Sequence, residues 1–316
     1  MAVAIAEYLG QRVDVDLPVI QPVKAKSTQC PFMGKDCDKL KKNNKPICSV
    51  RKLDGTIWIV CPHRLCATVP KIKIGNKNQA LPLSMHQKEI LWKVAQTIYR
   101  GNFTEENIAV AREVSIPLED NTSVYHADFI MRNLSNGAKV DEVLLEMQGG
   151  GETSSTGAIT KKVSEWEKLN SPTNGFLREA VKAGTIETNA WRRQQEQFLV
   201  KGNVVSQTGG KLVFAVGTLL YDYLKKRFLR ANLRDLREHN WTLCLMAFSE
   251  DDSDLKVPGA IPFIVDTERL LFTNYSTFVR FLTDQGGPNP QIFEGIFETL
   301  DGKTVEIEGA SFDFKN

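Results

Sequence analysis

The chain lacks the features that mark membrane and secreted proteins. Nowhere in its 316 residues do eighteen apolar residues run together, and residues 1–10 contain neither a basic leader nor a small-residue cleavage site. Internal repeats and low-complexity tracts are absent as well. We therefore expect a cytoplasmic protein without a membrane partner. In that reducing compartment the six cysteines are not expected to form disulfides, which leaves metal ligation or inert buried thiols.

Length and charge indicate two units of different character. With 316 residues, 42% of them hydrophobic, the chain is long enough for a large core and predicts two units, which we place at residues 1–80 and 81–316. The net charge of the whole chain is only +2. Residues 24–77 alone contain thirteen Lys or Arg and three Asp, a local charge of +10. Basicity confined to one segment favours a polyanion as the partner.

Four cysteines lie in this basic segment, at positions Cys30, Cys37, Cys48 and Cys61. Residues 1–80 offer one good strand candidate, residues 56–60, so we expect this region to build little core of its own and a bound metal to compensate. Four thiolates suit iron and zinc equally well, and the spacing lacks the two-residue knuckles of common zinc modules. Cys66 is expected to be a free thiol, although it or His63 could replace a ligand. Cys244, in an apolar run, fits an inert thiol.

Hydrophobic periodicity after residue 80 predicts alternating helices and strands. The first helix begins at the N-cap Ser84, with Gln87 three residues on and an apolar stripe that puts Glu89 on the opposite, solvated face. Further helices are predicted over 155–170, 189–201 and 219–229, strands over 112–116, 124–132, 139–148, 211–216 and 242–248, and loops over 249–259 and 284–291. Such alternation indicates one α/β domain.

Two acids lie on the consecutive strands of a predicted hairpin. Glu146 and Gln148 share a face, because residues two apart in a strand point the same way. A two-residue turn would pair Asp128 with Leu145 and put it on the wrong face. A three-residue turn ending in Gly137 would pair it with Leu144, diagonal to Glu146 and close enough for both carboxylates to bind one Mg²⁺.

A structural role for these acids is the alternative. Each of them could lie at an exposed strand end or pair with an arginine, since an unpaired charge in an apolar strand is strongly disfavoured. Glu113, on the preceding strand candidate, could supply a further carboxylate.

With these residues in order, the chain resembles the NotI/EagI family of type II restriction endonucleases over roughly residues 28–220. The resemblance rests on Cys30-Pro31-Phe32, Cys37, Cys48-Ser49-Val50, Cys61-Pro62-His63-Arg64-Leu65, Glu113-Val114, Asp128, Glu146-Met147-Gln148, Thr156-Gly157 and, more weakly, residues 191–202. The cysteine block is the most specific part, and the C-terminal third adds little.

The resemblance implies a PD-(D/E)xK restriction-endonuclease-like fold, a mixed sheet flanked by helices, with a small N-terminal metal-binding module. It implies an iron ion, with zinc as the alternative, held by the four cysteines Cys30, Cys37, Cys48 and Cys61. The implied active site is Glu113, Asp128, Glu146 and Gln148, with Gln148 in place of the lysine. A carboxamide cannot act as a general base, so Gln148 can only orient water or phosphate. Asp128, Glu146 and the Met147 carbonyl would hold Mg²⁺, and a metal-activated water would cut DNA to leave 5′-phosphate ends.

The activity expected from this resemblance is sequence-specific double-strand cleavage of DNA. A two-fold homodimer reading a palindromic, GC-rich site would cut both strands symmetrically, and a cognate DNA methyltransferase would belong to the same restriction-modification system. Base-reading candidates are Arg192, Arg193 and Gln195, with Gln194 and Gln197 beside them, although a solvated helix face is their alternative role. Competing expectations are a repair or transposition nuclease of the same fold and a metal-stabilised DNA-binding regulator.

Overall fold

A computed structural model describes residues 2–68, 72–74, 77–79, 81–117, 124–136, 142–151, 153–229, 233–253, 256–283 and 294–307. The helices are α1 (Asp38–Lys41), α2 (Met85–Ile98), α3 (Thr156–Trp166), α4 (Asn174–Arg178), α5 (Glu187–Thr208), α6 (Thr218–Phe228) and α7 (Tyr275–Thr283). The strands are β1 (Val3–Tyr8), β2 (Gln11–Arg12), β3 (Ile47–Lys52), β4 (Ile57–Ile59), β5 (Ile72–Ile74), β6 (Lys77–Gln79), β7 (Ile108–Pro117), β8 (Val124–Asn133), β9 (Glu142–Gln148), β10 (Thr153–Ser154), β11 (Gly184–Thr185), β12 (Lys211–Gly217), β13 (Leu243–Glu250), β14 (Phe263–Thr273), β15 (Gly295–Glu298) and β16 (Thr304–Ile307).

A six-stranded mixed sheet forms the centre, in the order β14-β13-β12-β9-β8-β7. β9, β12 and β13 are mutually parallel, whereas β14, β8 and β7 each pair antiparallel with their neighbours. The central strands β12 and β13 read as unbroken apolar runs because helices cover both of their faces. The expected α/β architecture, a mixed sheet flanked by helices, is confirmed.

Alternate residues of β9 enter two different cores. Val143, Leu145 and Met147 pack on the side of α2, whose buried stripe starts at Ile90. Leu144 points to the other side, where α3, α5, α6 and α7 pack. Glu146 and Gln148 alternate with Leu145 and Met147 along the strand, so they follow Leu144 to the α5 side. The period of the strand therefore presents both polar side chains to α5.

A second sheet, in the order β2-β1-β3-β4, covers the α3 and α5 side of the molecule. Its side chains Val3, Tyr8 and Trp58 belong to the same buried cluster as Trp166 and Trp191. The rings of Tyr8 and Trp166 meet edge to face at 5.0 Å. The prediction of a single good strand in residues 1–80 was wrong, because β1 and β3 also form there. Their buried side chains belong to a core that the later helices share.

One reason that β1 escapes a periodicity search is a charge buried within it. Glu7, fully buried, accepts hydrogen bonds from Arg64 Nε at 2.7 and 2.8 Å, from Ser49 and from the backbone NH of Ile261 at 2.9 Å. Arg64 in turn lies over the ring of Phe263, 3.9 Å from its centroid. A buried acid is tolerated when it is paired and fully hydrogen-bonded, and here its partners come from three distant parts of the chain.

The predicted helices are found, with adjusted ends. Ser84 and Gln87 form the predicted capping box of α2, and Glu89 is exposed. α5 continues to Thr208, seven residues beyond its predicted end, and stops at Gly209, whose φ of 76° is the left-handed conformation common at helix C-termini.

Other differences fall at the predicted boundaries. The predicted helix over 155–170 ends at Trp166, and Leu169, inside the predicted range, is exposed. The predicted loop over 249–259 begins inside β13. β14 and α7 were not predicted from the sequence. The predicted loop over 284–291 and the first residues of the predicted strand over 139–148, residues 139–141, lie outside the described residues.

Candidate active site

Three acidic residues, Glu113, Asp128 and Glu146, lie side by side on the adjacent strands β7, β8 and β9. The β8 and β9 register pairs Phe129 with Leu145, so the next position along places Asp128 opposite Glu146. On the other side of β8, Arg112 pairs with Phe129 and Val114 with Ala127, which places Glu113 opposite Asp128. Both registers considered from the sequence, Asp128 with Leu145 or with Leu144, are wrong. β8 ends at Asn133 and β9 begins at Glu142, so the connection between them is longer than the two-residue or three-residue turn considered from the sequence.

Asp128 and Glu146 are tied together through the backbone. The NH of Met147 donates to Asp128 Oδ2 at 2.9 Å, and the NH of Asp128 lies 3.4 Å from Glu146 Oε1. Burial raises the pKa of Glu146 to about 8, and the nearby Asp128 carboxylate acts in the same direction. Burial also raises the pKa of Asp128. Two neighbouring buried carboxylates repel each other when both are ionised, which makes the site favourable for a cation.

Glu113 contributes a strained backbone to the same place. Its φ of 49° is in the left-handed region, which is costly for a residue with a Cβ and unusual within a strand. Its side chain accepts a hydrogen bond from Thr68 Oγ1 at 3.0 Å, and its charge helps to raise the pKa of Asp128. Strain of this kind concentrates at functional sites, so it motivates a functional hypothesis for Glu113.

Gln148 is held on both ends of its carboxamide. Its Nε2 donates to the carbonyl of Gly150 at 2.6 Å, and its Oε1 accepts from Gln194 Nε2 at 2.7 Å. Gly149 and Gly150 pack against β4 so closely that an added Cβ would lie 2.6 Å from the Ile59 side chain or 2.8 Å from its carbonyl oxygen. The glycines that the sequence places after β9 therefore let the N-terminal sheet approach the segment that orients Gln148.

Lys201 is a member of the site that the sequence analysis missed. It lies on α5 and its ammonium donates to Glu146 Oε2 at 2.7 Å and to Gln197 Oε1 at 2.9 Å. The residue is only 1% exposed. Gln194, Gln197 and Lys201 stand at spacings of three and four, which places them on one face of the helix. The sequence signal for Lys201 was that Gln194, Gln197 and Lys201 form a polar stripe on this helix.

Two neighbouring clefts lie beside Glu113, Asp128 and Gln148. One, of about 740 Å³, is lined by Glu113 and Asp128, and the other, of about 490 Å³, by Gln148 and the glycines that follow it. Arg193 and Gln197 line both. Of the predicted base readers, Arg193 thus forms a cleft wall. Arg192 and Gln195 are exposed on α5 and do not line either cleft.

The four N-terminal cysteines gather in one buried cluster. They share it with Phe32 and Met33, and the members are Cys30, Cys37, Cys48 and Cys61. No cysteine of the chain forms a disulfide. Cys66 and Cys244 lie outside this cluster and are fully buried. The predicted free and inert thiols are therefore inaccessible to solvent.

Backbone NH groups point at several of these sulfurs. Gly10 donates to Cys48 Sγ at 3.2 Å. Burial raises the pKa of Cys30 to about 11, and backbone hydrogen bonds from Phe32 and Met33 oppose that rise. Donors directed at sulfur stabilise thiolates, so the donor set suits a thiolate-binding metal such as iron or zinc. Within the described ranges, however, no group of three or more His, Cys, Asp or Glu side chains is arranged as a metal-ligand set.

Comparison with known proteins adds no assignment. No protein-family model matches the chain, and no curated protein matches it. Among the described residues, no helix is both long and apolar enough to cross a membrane.

Proposed function

We propose that the chain is a Mg²⁺-dependent DNA endonuclease of the PD-(D/E)xK class. The observation that carries this proposal is the alignment of Glu113, Asp128 and Glu146 on adjacent strands. Glu113 and Asp128 line one cleft, Gln148 lines the other, and Glu146 is buried behind them. Buried acids with raised pKa values beside a cleft are candidates for a functional site. The resemblance to the NotI/EagI family names the same four residues.

Asp128 and Glu146 are the residues that would hold Mg²⁺. Both are oxygen donors, as Mg²⁺ requires, and a cation between them would relieve their mutual repulsion. Bound there, Mg²⁺ would supply a Lewis acid that acidifies water and neutralises charge on a phosphate. Gln148 would orient water or phosphate, because its carboxamide is fixed at both ends and cannot accept a proton at neutral pH.

The substrate is proposed to be double-stranded DNA. Residues 24–77 carry a local charge of +10, and Val60 and Pro62 of that segment line the cleft beside Gln148. Arg193 adds a cation to the wall between the clefts. Exposed lysines of this segment can meet phosphates, as Lys42 can and as Lys41 can by exchanging its ion pair with Asp36. A homodimer cutting a palindromic, GC-rich site, paired with a methyltransferase, is the further proposal that comes with the family resemblance.

The cysteine cluster is proposed to hold one iron or zinc ion that stabilises the N-terminal sheet. Cys48 follows the first residue of β3 and Cys61 lies two residues after β4, so a metal there would join the ends of both strands. Structural metals contribute their binding energy to folding.

Cleavage of a plasmid of known sequence tests the proposal. We expect discrete fragments with Mg²⁺, none with EDTA, and ends that carry 5′-phosphates. Glu146→Gln should abolish cleavage, whereas Glu89→Gln, the same change at an exposed helix position, should cleave like the parent.

Three results would point elsewhere. Random degradation would favour a repair or transposition nuclease of the same fold. Specific DNA binding without any cleavage would favour a DNA-binding regulator. Cleavage by Glu146→Gln at the parental rate would remove this site from the reaction.

A further inference from the structure

Lys201 occupies a position that long cationic side chains seldom take. It is 1% exposed, and its ammonium lies between Glu146 Oε2 and Gln197 Oε1. Lysine is almost never buried to this extent unless it is paired, because its charge loses hydration. The ion pair with Glu146 therefore fixes the position of the Lys201 ammonium group.

The helix delivers Lys201 as part of a set. Gln194, Gln197 and Lys201 lie on one face of α5 and contact, in that order, Gln148, Lys201 and Glu146. The two residues that the family resemblance assigns to catalysis on β9 are thus both held by this face. α5 itself is fixed by Trp191 and Phe198, which are buried in the core. A rigid helix can hold catalytic groups within the small tolerances that a reaction needs.

Within each of the carboxylates of Asp128 and Glu146, the two oxygens have different hydrogen-bond partners. Glu146 Oε2 is occupied by Lys201, while Oε1 faces the backbone of Asp128. Asp128 Oδ2 is occupied by the NH of Met147. In the part of the chain that the structure describes, Glu146 Oε1 and Asp128 Oδ1 are the oxygens least engaged by other groups. Asp128 and Glu146 would hold a shared cation, each with one carboxylate oxygen less engaged by the protein.

We propose that Lys201 is a positioning residue that fixes Glu146 through Oε2, keeps Oε1 turned toward Asp128, and supplies the fixed positive charge that Gln148 cannot. The inference rests on the proposed function, because it assigns Lys201 a role in that same reaction. Gln148 is neutral, so Lys201 is the cation that touches the carboxylate pair among the described residues. An ammonium fixed beside Glu146 also limits how strongly the pair attracts divalent ions.

Replacing Lys201 by methionine separates these effects. The Lys201→Met side chain keeps most of the volume and loses both the charge and the donor. Removing the positive charge should strengthen attraction for a divalent cation, whereas losing the fixed orientation of Glu146 should slow the reaction. The measurements are Mn²⁺ affinity, from the free-ion signal in electron paramagnetic resonance, and the single-turnover cleavage rate at saturating Mg²⁺.

We expect the Lys201→Met rate to fall about a hundredfold, the usual effect of losing one preorganised group, with Mn²⁺ bound at least as tightly as by the parent. Lys93→Met is the matched control, since Lys93 also pairs with a glutamate on its helix, Glu89, at 2.6 Å. That control should retain the parental rate and Mn²⁺ affinity. A Lys201→Met rate within threefold of the parent would overturn the inference, and so would a slow rate accompanied by loss of Mn²⁺ binding.

A second variant covers the case in which Lys201→Met does not fold. Gln197→Leu removes the other acceptor of the ammonium without leaving a buried charge unpaired. It should reduce the rate about tenfold with unchanged Mn²⁺ affinity, and an unchanged rate would contradict the positioning role. Failure of the proposed function looks different, because the parent protein itself would then show no Mg²⁺-dependent cleavage.

Discussion

The indole Nε1 of Trp58 donates a hydrogen bond to the backbone carbonyl of Gly151 at 3.1 Å. In return, the NH of Gly151 donates to the carbonyl of Ile59 at 3.0 Å. The neighbouring Gly150 carbonyl is the acceptor for Gln148 Nε2. The N-terminal sheet thereby holds the short segment that orients Gln148, through contacts that do not involve any side chain of the active site.

Trp58→Phe should consequently slow cleavage in addition to destabilising the core in which Trp58 is buried. Loss of one buried hydrogen bond costs about 1 kcal/mol. The substitution also loosens the glycine segment whose Gly150 carbonyl accepts the hydrogen bond from Gln148, so we expect a cleavage rate about fivefold to tenfold lower. Trp166→Phe is the control, because the indole of Trp166 donates to the Thr173 carbonyl at the same 3.1 Å, in the core near α4. Thermal unfolding should show similar losses for both variants, while single-turnover rates should differ. Equal rates would show that the contact with Gly151 serves stability alone.

Gln194 offers a test of the orientation of Gln148. Gln194→Leu removes the donor to Gln148 Oε1, so the carboxamide loses one of its two fixed contacts and the cleavage rate should fall about tenfold. Gln148→Ala should be slower still, by about a hundredfold. Gln207→Leu, at an exposed position near the end of α5, should cleave at the parental rate. Quenched-flow cleavage at saturating enzyme gives the rates, and a fully active Gln194→Leu would separate the two glutamines functionally.

Cys48→Ser should abolish binding of the proposed metal ion and lower the melting temperature of the whole chain in one transition. Cys48 lies on β3 between Ile47 and Val50, which belong to the core shared with α3 and α5. Metal binding energy lost there is folding energy lost for that shared core. Elemental analysis and scanning calorimetry provide the readouts. Cys244→Ala, a buried thiol outside the cluster, should keep iron or zinc at about one per chain; two separate melting transitions would contradict the shared core.

Acid should destabilise the protein through His86. Burial lowers the pKa of His86 to about 3, and Arg64 acts in the same direction. In the unfolded chain its pKa is about 6.5, so the unfolded state takes up the proton first. The stability contributed by neutral His86 is therefore complete above pH 6.5 and is lost as the pH falls from there toward 3.

His86→Gln removes this titration and keeps a side chain that can bond the Arg64 carbonyl, which His86 Nε2 contacts at 3.0 Å. Between pH 7 and pH 4, the variant should lose about 2–3 kcal/mol less unfolding free energy than the parent. Urea unfolding at several pH values measures the difference. The exposed His239 serves as the control, and a His239→Gln curve that matches the His86→Gln curve would refute the assignment.

Local patterns predicted those parts of the fold that depend on local chemistry. The capping box of α2 and the shared face of Glu146 and Gln148 follow from spacing, and both were predictable. The register of β8 against β9 could not be predicted, because the connection between them is longer than the two-residue and three-residue turns considered from the sequence. Asp128 nevertheless reaches the face of Glu146, although by a different pairing from either that was considered.

Residues that depend on distant partners could not be predicted. Lys201 reads as one more charged residue on a surface helix until Glu146, 55 positions earlier, is placed against it. Glu7 likewise looks incompatible with a buried strand until Arg64 is seen to neutralise it. A single sequence carries no signal for either pairing, since each joins segments that only the tertiary fold brings together.

The shared core under β1 and β3 limits how this chain can be divided. A cut after residue 80 would bare the inner surfaces of Trp166 and Trp191 on one fragment and those of Tyr8 and Trp58 on the other. Exposed apolar surfaces of that kind drive aggregation, so neither fragment is suited to stand alone. The cysteine-containing sheet is therefore unsuitable as a portable unit for grafting onto another protein, and shuffling by gene fusion would have to carry α3 and α5 with it.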